Sequence, residues 1–413
     1  MSMKKIKQVL RRFVQRKKSK LGCDKSLPVA YQQMCRRSLS LDDDFIAYQE
    51  HQLKPRQIEA VKHIALYLPQ FHSIVENDQW WGKNFTEWNN VAKAVPQYFG
   101  QYQPQLPVDV GFYDLTQKPI WQQQIAMAKN YGVYGFCYYF YWFNGRRILE
   151  KPLDLFLKNK DLDMPFCLFW ANDSWVRTWH GFSDFEQGNR VLLAQNHNDQ
   201  DDVNVMNYLC EHVFSDERYI KIDDKPLFIV YHTPLFNNIK KTLSVWRLIA
   251  KQHGFKDLYL MHVMMPGQED GSLLDVGFDA AMQFSPIGCD RKKANVQLLN
   301  PDFSGEVYDY EYLIKKEGKR IFKHDLIARG CFASWDNEGR RPTKGISYAN
   351  GKPALFYEYL RSMARWAKAH PLEGESFIFL NAWNEWAEGA HLEPDRKYGY
   401  AWLEQLAQSV KKN

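Results

Sequence analysis

The chain alternates between two hydrophobic rhythms. Short runs rich in β-branched and aromatic residues read as strands at 63–70, 133–141, 165–171, 226–232, 258–264, 278–284, 330–335 and 376–383. Apolar positions at helical spacing fall between most of them, at 117–130, 201–214, 236–252, 308–317, 354–369 and 399–411. The connection from the fifth run to the sixth is the weakest, being short and glycine-containing. Strands alternating with helices predict a parallel sheet with right-handed crossovers. Runs such as "HIALYL" and "FIFL" are continuously apolar, as strands buried on both faces must be. Eight of them in about 350 residues fit a closed (β/α)8 TIM-type barrel over residues 61–413.

Residues 1–60 read as a separate extension. In the first twenty, Ile6, Val9, Leu10, Phe13 and Val14 recur at helical spacing among nine Lys and Arg and no acid. A basic amphipathic helix of this kind suits peripheral contact with an anionic membrane surface; the plainer reading is a solvated basic tail. The formal charge of +6 comes from this stretch, since the remaining residues hold 45 basic against 48 acidic side chains. The body therefore lacks the electrostatic footprint of a nucleic-acid binder. Seven scattered cysteines, odd in number and without a CxxC pair, match reduced, buried thiols and favour a cytoplasmic location. The start has no apolar signal-peptide core, and the chain has no run of 18 apolar residues.

Aromatic content changes the picture most. Fourteen Trp, 23 Tyr and 26 Phe make up 15% of the chain. They gather with polar residues at the carboxyl ends of the expected strands, where a barrel of this kind holds its chemistry. Tyr67, Gln70 and His72 end the first strand, with Trp80 and Trp81 beyond it. Trp170, Asn172, Asp173, Trp175, Arg177 and Trp179 follow the third, and Tyr231 the fourth. Trp335, Asp336, Asn337, Arg340 and Arg341 follow the seventh, and the last runs into "NAWNEWAEG". Flat apolar rings that carry a polar tip suit sugar faces, so these are candidate substrate-binding residues. Arg340 and Arg341 either meet a phosphate or uronate or pair with nearby acids.

Glu385 and Glu388 are the candidate catalytic pair, with Asn384 and Trp386 beside them. Residues three apart on a helical turn lie side by side. Two carboxyls so placed, dried by tryptophans, should not both ionise, leaving one acid and one base. Neither HExxH nor a Cys/His cluster is present, so no metal is expected. "DLD" at Asp161–Asp163 precedes the third strand and reads as a solvated connection. The phosphate fingerprints GxGxxG and GxxxxGK[ST] are absent, which argues against a dinucleotide cofactor.

Several long motifs then carry a resemblance: "HIALYLPQFH" with "WWGKNFTEWNNV", "YGVYGFCYYFYWFNGRRILEKPLD", "FCLFWANDSWVRTW", "SWDNEGRRP" and "NAWNEWAEGAHLEP". Over residues 62–411 the chain resembles the WbsX-type family of bacterial O-antigen and capsule biosynthesis, whose members contain a domain similar to glycoside hydrolase family 99. That resemblance implies a (β/α)8 barrel acting on an oligosaccharide or polysaccharide, lipid-linked in such a pathway, without a cofactor. It implies retaining chemistry in which Glu385 deprotonates the sugar 2-hydroxyl, giving a 1,2-anhydro intermediate, while Glu388 serves as acid and then base. Ala387 departs from the hydrolases, which commonly place His there. Hydrolysis and transfer to a sugar acceptor both stay open, as do nucleotide-sugar-dependent transfer and a non-catalytic glycan-binding barrel.

Overall fold

The computed structural model describes residues 44–177, 190–268 and 271–413, with a few helical residues between 29 and 35. The expected basic helix within residues 1–20, and Trp179, lie outside the described residues. Eight parallel strands close into a barrel: β1 Lys62–Tyr67, β2 Gly135–Phe140, β3 Phe166–Trp170, β4 Lys225–Val230, β5 Tyr259–Val263, β6 Ala280–Met282, β7 Ile327–Cys331 and β8 Phe377–Leu380. Each pairs with the next, and the ring is sealed by β8 against β1, from Phe377 beside Lys62 to Leu380 beside Ala65. Each strand is followed by a helix on the outside of the barrel: α1 Lys118–Asn130, α2 Lys151–Lys158, α3 Asp199–His212, α4 Ile239–Gln252, α5 Ser272–Val276, α6 Tyr310–Glu317, α7 Pro353–Ala369 and α8 Ala401–Lys411. This is the (β/α)8 architecture expected from the alternating pattern. Among the described residues no helix is long and apolar enough to cross a membrane.

Local chemistry sets the helix starts. Asn198, Asn238 and Asp309 each accept the backbone N–H three residues on, capping α3, α4 and α6. Proline occupies the first turn of α1, α2 and α7, where its missing N–H costs nothing. On α7, Phe356, Tyr359, Leu360, Met363, Ala364 and Ala367 form the buried stripe that covers the sheet. Residues 44–59, read from the sequence as part of the extension, pack on α1 and α8. Tyr48 meets the rings of Tyr131 and Tyr400 edge-on, and His51 lies 2.9 Å from Glu404.

The structure corrects three expectations. The sequence reading passed over α2 and over two short loop helices, Val75–Trp81 and Glu87–Lys93. The sixth strand is shorter than its apolar run. The seventh lies at Ile327–Cys331 rather than 330–335, because the charge of Arg329 interrupts the apolar run. Arg329 is instead buried, donating to Glu317 at 2.8 Å and to Gln283 at 3.0 Å. At Gly330 a Cβ would sit 2.1 Å from the Gln283 carbonyl oxygen, so β6 and β7 approach there only around a glycine. Gly330→Ala is expected to cost about 1–3 kcal/mol of stability through overpacking. A urea midpoint equal to wild type would contradict so close an approach.

Candidate active site

Beyond β8 the chain folds back over the barrel mouth and is pinned to the end of β1. Trp383 N–H donates to the Leu66 carbonyl at 2.7 Å, and the Asn384 amide brackets Leu68, accepting from its N–H at 2.7 Å and donating to its carbonyl at 3.0 Å. Asn384–Glu385 then pairs antiparallel with Ala390–His391. A single 3-10 turn, Trp386–Glu388, joins the two halves of this ladder. Gly389 ends the turn at φ +58°, and a Cβ there would lie 2.9 Å from the Asp336 backbone. Trp386 stacks on His391 at 3.8 Å and donates to Glu393 at 2.7 Å. With that ring locked, Glu385 and Glu388 stand at the two ends of one rigid turn and line the same cavity.

Arg340, from the loop after β7, joins them. Its guanidinium donates to Glu385 at 2.8 Å, to Glu388 at 2.6 Å and to Glu87 at 2.7 Å. One cation thus serves three carboxylates in a dry setting. Burial raises the Glu385 pKa, Arg340 pulls it back, and Glu388 and Glu87 push it up again, leaving it at about 8. Burial works against the charge on Arg340 too, but the three acids hold it firmly protonated. Deeper still, burial lifts Asp336 to about 6 and Glu338 and Glu393 to about 7. Their hydrogen bonds come from Gln101 to Asp336, Gln97 to Glu338, and Gln124 and Tyr113 to Glu393.

A carboxyl whose folded pKa lies above its unfolded value stabilises the fold fully below the unfolded value and loses that contribution as pH rises through the folded one. For Glu385 the window runs from the ordinary 4.5 to about 8. Wild type is therefore expected to lose melting temperature relative to Glu385→Gln across this range. Parallel melting curves of the two proteins from pH 4.5 to 8 would contradict the raised pKa.

The cavity measures about 330 Å³, the size of a small oligosaccharide segment rather than a single water pocket. Of the residues singled out from sequence, Gln70, Trp80, Trp81, Tyr231, Trp335, Glu385 and Glu388 line it, as do Trp175, Asn337, Arg340 and Arg341. Others sit elsewhere. Tyr67 points to the helix side of the sheet, stacking on Trp121 and donating to Gln124 at 2.5 Å. Trp170 packs against Trp246, Phe228 and Phe236. His72 is buried on the Pro69 carbonyl, 2.9 Å away. Asn172 ties β3 to β4 by accepting from His232 N–H at 2.8 Å, and Asp173 meets the His232 ring at 2.8 Å. Arg177 is half-buried at the edge of the described loop, while Asp336, Asn384 and Trp386 support the floor from below.

Sequence reasoning missed Glu87, which lies in the loop after β1, and the lining rings Tyr139 and Tyr141. Their alternation in "YYFYWF" was the available signal, because residues two apart on a strand share a face. Among the described residues, no group of three or more His, Cys, Asp or Glu is arranged to hold a metal ion.

Comparison with known proteins agrees with this architecture. The family model described as Glycosyltransferase WbsX matches residues 63–406. Proteins named WxcX from two strains of Xanthomonas campestris pv. campestris, B100 and ATCC 33913, are each 39% identical over 349 residues. That is 84% of this chain and 49% of theirs, so the chain spans about half the length of the curated relatives it matches. Among solved structures, a glycoside hydrolase-like protein superposes with a TM-score of 0.54 at 13% identity, covering 89% of this chain and 98% of its own. The family GH99 endo-α-mannosidase of Bacteroides thetaiotaomicron gives 0.51 at 13% identity, covering 85% and 96%. At that identity the likeness is one of fold.

Proposed function

The chain belongs to the Glycosyltransferase WbsX family, a carbohydrate-active family, and on that premise we propose that it makes or breaks glycosidic bonds in surface-polysaccharide assembly, with Glu385 and Glu388 as its acid–base pair. The observation that carries this reading is the shared guanidinium: both carboxyls accept from Arg340 while facing an aromatic-walled cavity. Side by side on one turn, they suit adjacent positions on a sugar better than opposite faces of its ring. Glu385 takes the proton of the 2-hydroxyl as that oxygen attacks the anomeric carbon. Glu388 gives a proton to the departing oxygen. The resulting 1,2-anhydro sugar is opened by water or by an acceptor hydroxyl, which gives its proton to Glu388 as the C1–O2 bond breaks and O2 takes back the proton held by Glu385. Burial makes Glu385 a stronger base once ionised, which a weakly acidic sugar hydroxyl requires.

The test incubates the purified chain with lipid-linked oligosaccharides, with and without nucleotide sugars, and follows products by mass spectrometry. Shortened or rearranged glycans without any nucleotide sugar are expected. Products that appear only with a nucleotide sugar would replace this reading by donor-dependent transfer. Glycan binding without any product would leave a binding barrel.

A further inference from the structure

The two sides of the cavity differ in chemistry. Around the barrel, β8 stands between β7 and β1, so its glutamate turn divides the mouth. The side above β1, β2 and β3 presents Trp80, Trp81, Tyr139, Tyr141 and Trp175. The side above β6 and β7 presents Trp335 and two further cations, Arg291 and Arg341. Arg340 is fully engaged by three acids, but these two are not. Arg341 is exposed and makes no side-chain ion pair among the described residues. Arg291 lies over the Tyr308 ring, 5.3 Å from its centre, and its guanidinium also hydrogen-bonds the Tyr308 and Tyr348 hydroxyls, which use only part of its five N–H donors. The acid that acts on it, Glu306, already accepts from Tyr308 at 2.5 Å and lies 3.6 Å from Lys293. Both arginines thus line a concave space, and among the described residues neither makes an ion pair with an acid. Their planar geometry matches the paired oxygens of carboxylates and phosphates.

We propose that the β6–β7 side of the cavity is an oxyanion subsite. The substrate carries a carboxylate or phosphate on one side of the reacting bond, held by Arg291 and Arg341, while the sugar on the other side stacks on the aromatic wall. This rests on reading the cavity as a glycan site and adds the charge of the glycan to it. It also gives the glutamate turn a direction, with the anionic part of the substrate over β6 and β7.

Calorimetry on the full chain tests this with three probes: inorganic pyrophosphate, methyl β-glucuronide and the neutral methyl β-glucoside. At least one anion is expected to bind about tenfold or more tightly than the glucoside, the scale of hydrogen bonds to charged groups. An Arg291→Gln/Arg341→Gln double variant should lose that advantage while melting like wild type. Preference for pyrophosphate assigns the subsite to a diphosphate-linked sugar, and preference for glucuronide assigns it to an acidic sugar residue. The proposal is overturned if neither anion outbinds the glucoside, or if the double variant keeps the advantage. Anion binding that depends on both arginines, beside undiminished turnover in Glu385→Gln, would keep the subsite and remove the acid–base assignment.

Discussion

Glu388→Gln is expected to lower turnover on natural glycans by ~10²–10⁴-fold, the usual worth of a placed general acid. The amide keeps the shape of the side chain and a partner for Arg340 but cannot deliver a proton. Substrates whose leaving group needs none, such as activated aryl glycosides, should be spared in the first step. Glu385→Gln should impair both kinds, because forming the intermediate then lacks its base. Glycan binding should survive in each variant. Neither should melt below wild type by more than a few degrees, and Glu385→Gln should gain as pH rises. Turnover on the two substrate classes, measured beside thermal melts, decides the matter. Wild-type rates in both variants would place the chemistry elsewhere.

The second large effect is on the fold itself. Arg340→Met is expected to destabilise the protein by about 3–5 kcal/mol, the cost of removing one partner from a buried ion pair. Here the removed partner serves Glu87, Glu385 and Glu388 together. Arg340→Lys should recover only part of the loss, because an ammonium cannot present a planar fork to three acceptors. A lower pH should narrow the gap, since the stranded carboxyls then take up protons. Urea unfolding at pH 5 and pH 8 checks both points. An Arg340→Met protein that unfolds like wild type would mean the three acids are satisfied without it.

The barrel was legible because strands covered on both faces leave continuous apolar runs, a signal that needs no partner to be seen. The glutamate pair was legible for the opposite reason, as charges set in a run that otherwise reads as buried. What the sequence hid is which way a strand residue points. Tyr67 and Tyr139 look alike as aromatic residues near strand ends, yet one packs on Trp121 behind the sheet and the other lines the cavity. Facing is fixed by strand register, and a shift of one residue reverses it. Arg340 was hidden by distance. Its partner Glu87 lies 253 residues away, so the choice between an anionic ligand and a nearby acid could be settled only in three dimensions. Arg329 lay outside the predicted seventh strand on the same ground, because its buried partner Glu317 sits on the preceding helix.

The ring closes where β8 docks on β1, and the glutamate turn is held to β1 through Leu66 and Leu68. Its companion acid Glu87 belongs to the loop that follows β1, near the other end of the barrel sequence. During synthesis these pieces are separated by nearly the whole translation time of the barrel. A nascent chain that stops before residue 377 holds Glu87, the aromatic wall and Arg340 but neither carboxyl of the pair. The two carboxyls therefore join the cavity in one step, with ring closure.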